Sequence, residues 1–559
     1  MKDTLLIQYQ KEVDYLRTAS KLFSKKHPEK SSEPKEIHKE NDINMAQLLD
    51  GFAKNLSKTN HLIENSHHQL NESLLWILAP HYLSSIPSLT VGHLSKKNGS
   101  FTDPIFIPRN TCFSSTDSNQ KKYYFTSSYD LTIWPIEITH CVSLNNKITL
   151  TLSSLTSFKT LAEKGLDKLM LYLDKEKPQA TKIQSILCEN LKHIEINHTK
   201  NSHLLNTSHF NKHGFSDDIF IVPFHNTLET SSRLLIEYAI FPEKFYFFEI
   251  TNLKNYLLSI EENIIEISFI IERSEITESF QINSSYFKLH CTPLINIFEK
   301  ILDPFLLDYT KDEYPLHPNQ PLSDSHHEIE TVTSLQLSLA EKEISCTPFY
   351  KTKYQDDPEF FYYTHKNRDD HTFFISFSEK NFSLSKKEYP LICATTLCSN
   401  VCTQKLASEN THLIFSIVNK KTKYVEDMQA LTSLTPKKRW ITSHSDYWHY
   451  LSLILCPPAL FPLDETDITE VFKQHLLDSI AINPELTQTL SKAILSAKQT
   501  RVLKRLQHNS NSLARGIELT LTLQSQHIEN STLFITVLRT YLARIAPLNS
   551  FIHLKVNEV

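Results

Sequence analysis

The sequence predicts an α+β protein with helices at its N-terminus, a long and mainly antiparallel β-rich middle with inserted loops, and a small C-terminal α+β domain. Two changes of apolar period carry this prediction. Up to residue 87 apolar residues recur three and four apart, and from 88 they recur every second residue. Near the C-terminus a strand, a helix and a second strand follow one another. A chain of 559 residues is long enough for roughly three or four such units. The boundaries are expected at 1–87 (helical), 88–260 (first β-rich), 261–440 (second β-rich) and 441–559 (C-terminal α+β).

In the N-terminal part Leu5, Leu6, Tyr9, Val13, Leu16 and Phe23 keep helical spacing, with Gln8, Lys11, Glu12 and Asp14 between them. A polar connector, Ser24 to Asn44, contains Pro28 and Pro34. Asp42 is placed to cap a second helix bearing Leu48, Leu49, Phe52, Leu56 and Ile63. A third helix is expected over Leu70 to Leu83, with Leu74, Ile77 and Leu78 on one side and Pro87 closing it. Most of these stripes are expected to be intramolecular core. Three helices at a chain end cannot all hide their faces against one small domain, so some of this surface is expected to meet partner helices. The residues assigned to partner contact are Leu5, Leu6, Tyr9, Glu12, Val13, Leu16 and Arg17.

Alternation marks the strands. Ile148, Leu150 and Leu152 alternate with Thr149 and Thr151, and Leu335, Leu337 and Leu339 alternate with Gln336 and Ser338. Leu131 to Trp134, Ile264 to Ile271 and Phe373 to Phe377 are further strands. Polar stretches Asn197 to Asp217, Lys311 to Glu330 and Tyr354 to Asp370 are expected to separate them. Ile517, Leu519, Leu521 and Leu523 form a half-buried strand, Leu533 to Ile545 a helix, and Phe551 to Val556 a last strand.

Composition excludes several function classes. There are six glycines, against a usual share near ~7%, so Asn, Ser, Asp and Pro must serve most turns. Phosphate-cradling loops need glycine where the backbone approaches the anion, and no Rossmann or P-loop pattern can be written here. The formal net charge of −5, from 58 basic and 63 acidic residues, argues against a nucleic-acid-gripping face. No apolar run approaches the ~20 residues of a membrane span, and no leader peptide is visible after Met1, so a cytoplasmic protein is expected. Nine cysteines are too sparse and too odd in number for a disulfide framework. Cys393, Cys398 and Cys402 are spaced wrongly for structural zinc, which favours closer pairs. No His-Glu-x-x-His string and no glycine-flanked nucleophile turn appears. Neither a catalytic residue nor a cofactor or metal is assigned. The aromatic runs Phe241 to Phe248 and Phe360 to Tyr363 suit core strands or a protein-binding loop better than base stacking, and Asp356, Asp357 and Glu359 beside Phe360 carry the wrong sign for phosphate.

Several strings, in order along the chain, resemble the TssF (VasA/ImpG) family of type VI secretion baseplate subunits. They begin with Tyr9 to Arg17, Leu48 to Ala53, and Pro80 to Leu83 followed by Ile86-Pro87-Ser88. Ile107 to Thr111 follows, with Asn110 where the family prefers glycine, and then Thr132 to Ile136. Glu237-Tyr238-Ala239-Ile240-Phe241-Pro242-Glu243-Lys244-Phe245 is the most specific string. Asn296-Ile297-Phe298, Arg515 to Glu518 and Leu548 to Phe551 complete the order. The resemblance implies a non-enzymatic wedge subunit. Two TssF copies would join one TssG and bind TssK and TssE. Six wedges would surround the VgrG hub beneath the tube and sheath, at the inner face of the bacterial inner membrane. The work implied is mechanical: holding the hub and transmitting the contraction trigger. A wedge protein of another contractile injection machine, such as a phage tail-like particle, is the alternative, with a hydrolase of unrecognised type behind it.

Overall fold

The computed structural model describes residues 9–16, 18–19, 22, 26 and 39–96. From 102 to 559 it describes all but 119, 145, 199–201, 217–219, 223–229, 273–281, 319–326, 339–342, 350–359, 368–370, 381–388, 402, 404–405, 407–412, 419–424, 442–443, 456–460, 462–465, 507–508 and 547–549. The chain forms two compact units. One comprises Met1–Leu83, Lys366–His371 and Ile441–Cys456, and the other Ser84–His365, Thr372–Trp440 and Pro457–Val559.

The first unit is helical. Residues 9–16 are helical, as are 18, 19, 22 and 26, and Lys39–Leu78 is one helix of 40 residues. This corrects the expected split into a second and a third helix. The polar run 64–69 contains no proline, and Gly51 is the helix's one glycine, so nothing interrupts the backbone hydrogen bonds. Asp42 lies inside the helix rather than capping it, and the connector gives up its last residues to the first turn. Pro80, not Pro87, ends it, opening a 3-10 turn over Pro80–Tyr82. Tyr82 stacks on Tyr450 of the His444–Leu455 helix at 4.3 Å between ring centres.

The second unit is built on β-sheet. Its centre is a closed six-stranded barrel of Cys291–Ile295, Leu89–Lys96, Val425–Ala430, Ile414–Ile417, Cys112–Thr116 and Lys122–Ser127, in that order around the ring. Leu94, Phe113, Phe125, Leu294, Phe415 and Met428 fill it. A Cβ at Gly92 would overlap the Met428 and Leu294 side chains, so only glycine lets this wall of the barrel close on its filling.

Around the barrel, one five-stranded sheet runs Ser202–Asn206, Leu191–Asn197, Ile264–Ile271, Lys147–Ser154, Ile136–Leu144. A second is centred on Leu391–Asn400 and His327–Ser338, whose inward residues Ile392, Ala394, Cys398, Leu335 and Leu337 are buried together. The expected strands at 131–133, 148–152, 264–271, 335–337 and 373–377 all form. The stretches Asn197 to Asp217 and Tyr354 to Asp370 are not merely polar connectors. They contain the strands Ser202–Asn206, Phe210–Lys212 and Phe360–Lys366, anchored by buried Leu205, by Phe210, and by Phe360 with Tyr362. Lys311 to Glu330 likewise contains Tyr314–Leu316 and the start of His327–Ser338.

The C-terminal strands and helix fold as expected, with one addition. Asn509–Leu523 pairs in parallel with Ser550–Glu558 across the Ser531–Ile545 helix, and antiparallel with Ile494–Leu506. The α+β class is thus the observed one. Among the described residues no helix is long and apolar enough to cross a membrane.

Candidate assembly surface

In the helical unit two helices carry exposed apolar residues. On Lys39–Leu78, Ala53, Ser57 and Leu75 are buried. Phe52, Leu70 and Ile77 are 55%, 59% and 45% exposed. Spacings of 18 and 7 residues bring these three to nearly one angular position on a 3.6-residue helix, along about 37 Å of its length. On the His444–Leu455 helix Tyr447, Tyr450 and Leu451 are buried, while Trp448 and Leu455, which flank Leu451 at helical spacing, are 61% and 55% exposed, so the apolar stripe runs on from the buried face into solvent. Exposed apolar stripes of this kind mark surfaces that other elements cover.

Four of the residues assigned to partner contact from the sequence fall on the N-terminal helical residues 9–16. Leu5, Leu6 and Arg17 lie outside the described residues. Tyr9, Glu12, Val13 and Leu16 are half-buried on one face. The Tyr9 hydroxyl hydrogen-bonds to the Asp50 carboxylate, and Asn60 Nδ2 donates to Glu12 Oε1 at 2.9 Å. This helix therefore spends part of its polar edge on the long helix of its own unit. Trp448 and Leu455 were missed, because the stretch around them reads as one more amphipathic helix and only burial separates its two faces.

In the β-rich unit the strings singled out in the sequence are joints. Glu237 and Lys244 form an ion pair in which the side chains are 1% and 0% exposed. Glu237 Oε1 also accepts the backbone N–H groups of Ile221 and Val222 at 2.8 and 3.0 Å. Burial pushes the Lys244 ammonium down from its ordinary range, and the Glu237 carboxylate opposes that shift. Glu243 meets Lys175 at 3.0 Å, and Phe241 and Phe245 are buried beside it. Asn296 Nδ2 donates to the Tyr124 carbonyl at 2.7 Å and to Asn400 Oδ1 at 2.8 Å, fastening the barrel to the second five-stranded sheet. Asn110 adopts φ 64°, the left-handed region that glycine favours, which accounts for the residue preference at this turn. Lys437 reaches Glu328, Glu330 and Ser399 at 2.5, 2.6 and 2.7 Å, and Arg439 forks onto Glu328 with two contacts of 2.8 Å.

The same unit holds a cleft of about 550 Å³ lined by Arg109, Tyr129, Trp134, Lys168, His213 and His290 among others. Two of its titratable groups are shifted away from neutrality by burial. Burial and the Lys244 and Lys168 charges hold the His213 imidazole down at about 4, and burial drives the Tyr129 phenol well up. Arg109 Nη2 is committed to the Phe220 carbonyl at 2.6 Å. Cys393 and Cys398 sit five residues apart on one strand, so they point to opposite faces. Cys402, the third of that trio, lies outside the described residues.

Comparison with known proteins adds four findings. The family model for the TssF protein of the type VI secretion system matches residues 1–559. The type VI secretion system component TssF1 of Pseudomonas aeruginosa is 23% identical over 359 residues, covering 60% of this chain and 58% of that protein. The aligned stretch thus spans a little over half of that relative's length. A cryo-electron-microscopy structure of a type VI secretion system TssK–TssF–TssG baseplate subcomplex contains a chain that superposes with a TM-score of 0.76 at 21% identity, covering 92% of this chain and 96% of that one. A chain of a second type VI baseplate complex superposes with a TM-score of 0.63 at 17% identity, over 99% and 96% of the two chains.

Proposed function

Because the chain belongs to the TssF family of the type VI secretion system, we propose that it is a non-enzymatic structural subunit of the baseplate wedge. In this reading two copies join one TssG-like protein and bind TssK and TssE around the VgrG hub, on the inner face of the inner membrane. The family match over the whole chain supports the baseplate role, as does the shared fold with a chain of the TssK–TssF–TssG subcomplex. The observation that supports the assembly role is the exposed apolar residues of two helices: Phe52, Leu70 and Ile77 on one, Trp448 and Leu455 on the other. Helices of a TssG-like protein and of the second copy would cover them by side-chain interdigitation. Leu5, Leu6, Tyr9, Glu12, Val13, Leu16 and Arg17 would extend that contact at the chain's start.

Co-expression with the TssG and TssK proteins of the same organism, followed by size-exclusion chromatography and native mass spectrometry, tests this. The expected species contains two copies of this chain per TssG, with TssK bound. A chain that elutes alone from that mixture would refute the proposal.

A further inference from the structure

The sheet centred on Leu391–Asn400 is bordered on one side by two short strands, Phe298–Ile301 and Phe305–Leu306, and no described strand pairs with their outer edge. The ladder to Leu391–Asn400 uses every second residue. Leu302 N donates to the Ala394 carbonyl at 2.9 Å, and the Thr396 hydroxyl donates to the Lys300 carbonyl at 3.1 Å. Lys300 and Leu302 thus turn their backbone groups toward the sheet, and antiparallel alternation turns those of Glu299 and Ile301 outward. Among the described residues nothing hydrogen-bonds to the backbone of Glu299 or Ile301 on that outer side.

The side chains follow the same period of two. Phe298 is buried in the core beneath the sheet, while Glu299 and Ile301 stand on the opposite face, where Ile301 is 74% exposed. Asp303, also exposed, is next in that period. The edge therefore presents acid, aliphatic and acid at every second residue. The strand's one cation, Lys300, is turned away from them and meets His327 Nδ1 at 3.3 Å. From Glu299 to Glu313 the chain carries five carboxylates against Lys300 and Lys311, which leaves −3. The longer edge strand Ile136–Leu144 is bulged between Ile138 and His140, and a bulge twists an edge away from pairing. Phe298–Ile301 keeps an unbroken register.

We propose that the outer edge of Phe298–Ile301 is a strand-addition site for an extended segment of a partner protein with the pattern cation–x–aliphatic–x–cation. Main-chain hydrogen bonds to Glu299 and Ile301 hold such a segment, and its side chains two apart share one face. An aliphatic residue then lies beside Ile301, with a cation beside each of Glu299 and Asp303. The pattern reads the same in both directions, so it suits a parallel or an antiparallel segment. Pro304, which has no N–H to offer, ends the ladder on this side. The edge belongs to the β-rich unit, so it does not depend on what covers the helices.

Fluorescence anisotropy of the full chain with the labelled peptide Ser-Thr-Lys-Thr-Val-Thr-Lys-Thr-Ser, at physiological salt, is the test. Saturable binding is expected. The same peptide N-methylated on alternate residues cannot complete the ladder and should bind about tenfold more weakly or worse. Moving the valine by one residue puts it on the opposite face and should cost most of the affinity. Ile301→Lys, a charge on an exposed edge, should weaken binding by a similar factor, and Glu299→Lys provides a second variant if the first disturbs folding. Leu144→Lys, on the bulged edge strand of the same unit, should change nothing. Failure of the peptide to bind, or equal binding by its N-methylated form or by both variants, would overturn the proposal. So would dimerisation of the peptide-free chain that Ile301→Lys abolishes, which would assign the edge to a second copy.

Discussion

Lys244 in the β-rich unit and Trp448 in the helical unit stand in reversed places. The lysine is fully buried and the tryptophan is 61% exposed. In the β-rich unit charge has been drawn inside and matched, at Glu237 with Lys244 and at Glu328 and Glu330 with Lys437 and Arg439. In the helical unit large apolar side chains stand in water on helices that also carry a packed face. Buried pairs fix one arrangement of the packing around them, because any other packing strands a charge. Exposed apolar stripes suit the proposed cover by partner helices.

The comparison breaks most visibly if the buried pair is not essential. Glu237→Ala leaves the Lys244 ammonium without its carboxylate and two backbone donors without their acceptor, so about 3–5 kcal/mol of unfolding free energy should be lost. Urea denaturation of the purified chain measures it. Glu237→Gln combined with Lys244→Met, which keeps an acceptor and removes the charge, should recover much of that loss. A single variant as stable as the parent would mean that the pair does not define this body.

Acid sharpens the contrast. Burial lowers the imidazoles of His93 and His213 to about 4, so between there and the ordinary 6.5 the unfolded chain binds the proton and the folded chain does not. Stability should therefore be full above pH 6.5 and fall as pH drops toward 4, by up to roughly 3 kcal/mol per histidine. Melting curves of the parent and of His213→Gln across that range should converge as pH falls, since the variant lacks this proton-linked loss. Parallel curves would contradict the assignment.

A smaller effect is expected at Gly516. A Cβ there would meet the Phe551 ring at 2.5 Å, so the ring sits where only glycine allows it. Gly516→Ala should cost about 1–3 kcal/mol through displacement of the ring. Adding Phe551→Ala should make the alanine itself nearly neutral, which thermal melting of the two backgrounds would report.

Much of the β-rich unit was legible because alternation is a direct readout of one buried face, as at 148–152 and 517–523. Short strands with a single apolar anchor, such as Ser202–Asn206 around Leu205, gave no period to read. The long helix was divided on paper because a polar run resembles a connector, although nothing in it stops a helix. The exposed stripes were half legible. Phe52 and Ile77 were visible as apolar residues at helical spacing, and Leu70 only as the start of a helix, but periodicity is the same for a face turned to the core and one turned to water. Trp448 and Leu455 carried no separate signal. The ion pair was hidden for a related reason: Glu237 and Lys244 look like a solvated i, i+7 pair until the chain turns at Pro242 and brings both inside.

The central claim, that the helical unit is completed by partners, meets its most direct test in one triple variant. Phe52→Asp, Leu70→Asp and Ile77→Asp together should change stability by only about 0.5 kcal/mol per site or less, the range of surface substitutions. The measurement is native mass spectrometry of the variant co-expressed with its TssG-like and TssK-like proteins, beside thermal melting of the variant alone. The account predicts an unchanged melting midpoint and loss of the complex. A variant that melts early would place the stripe in the unit's own core. A variant that assembles like the parent would show that this face of the long helix is not where the partners pack.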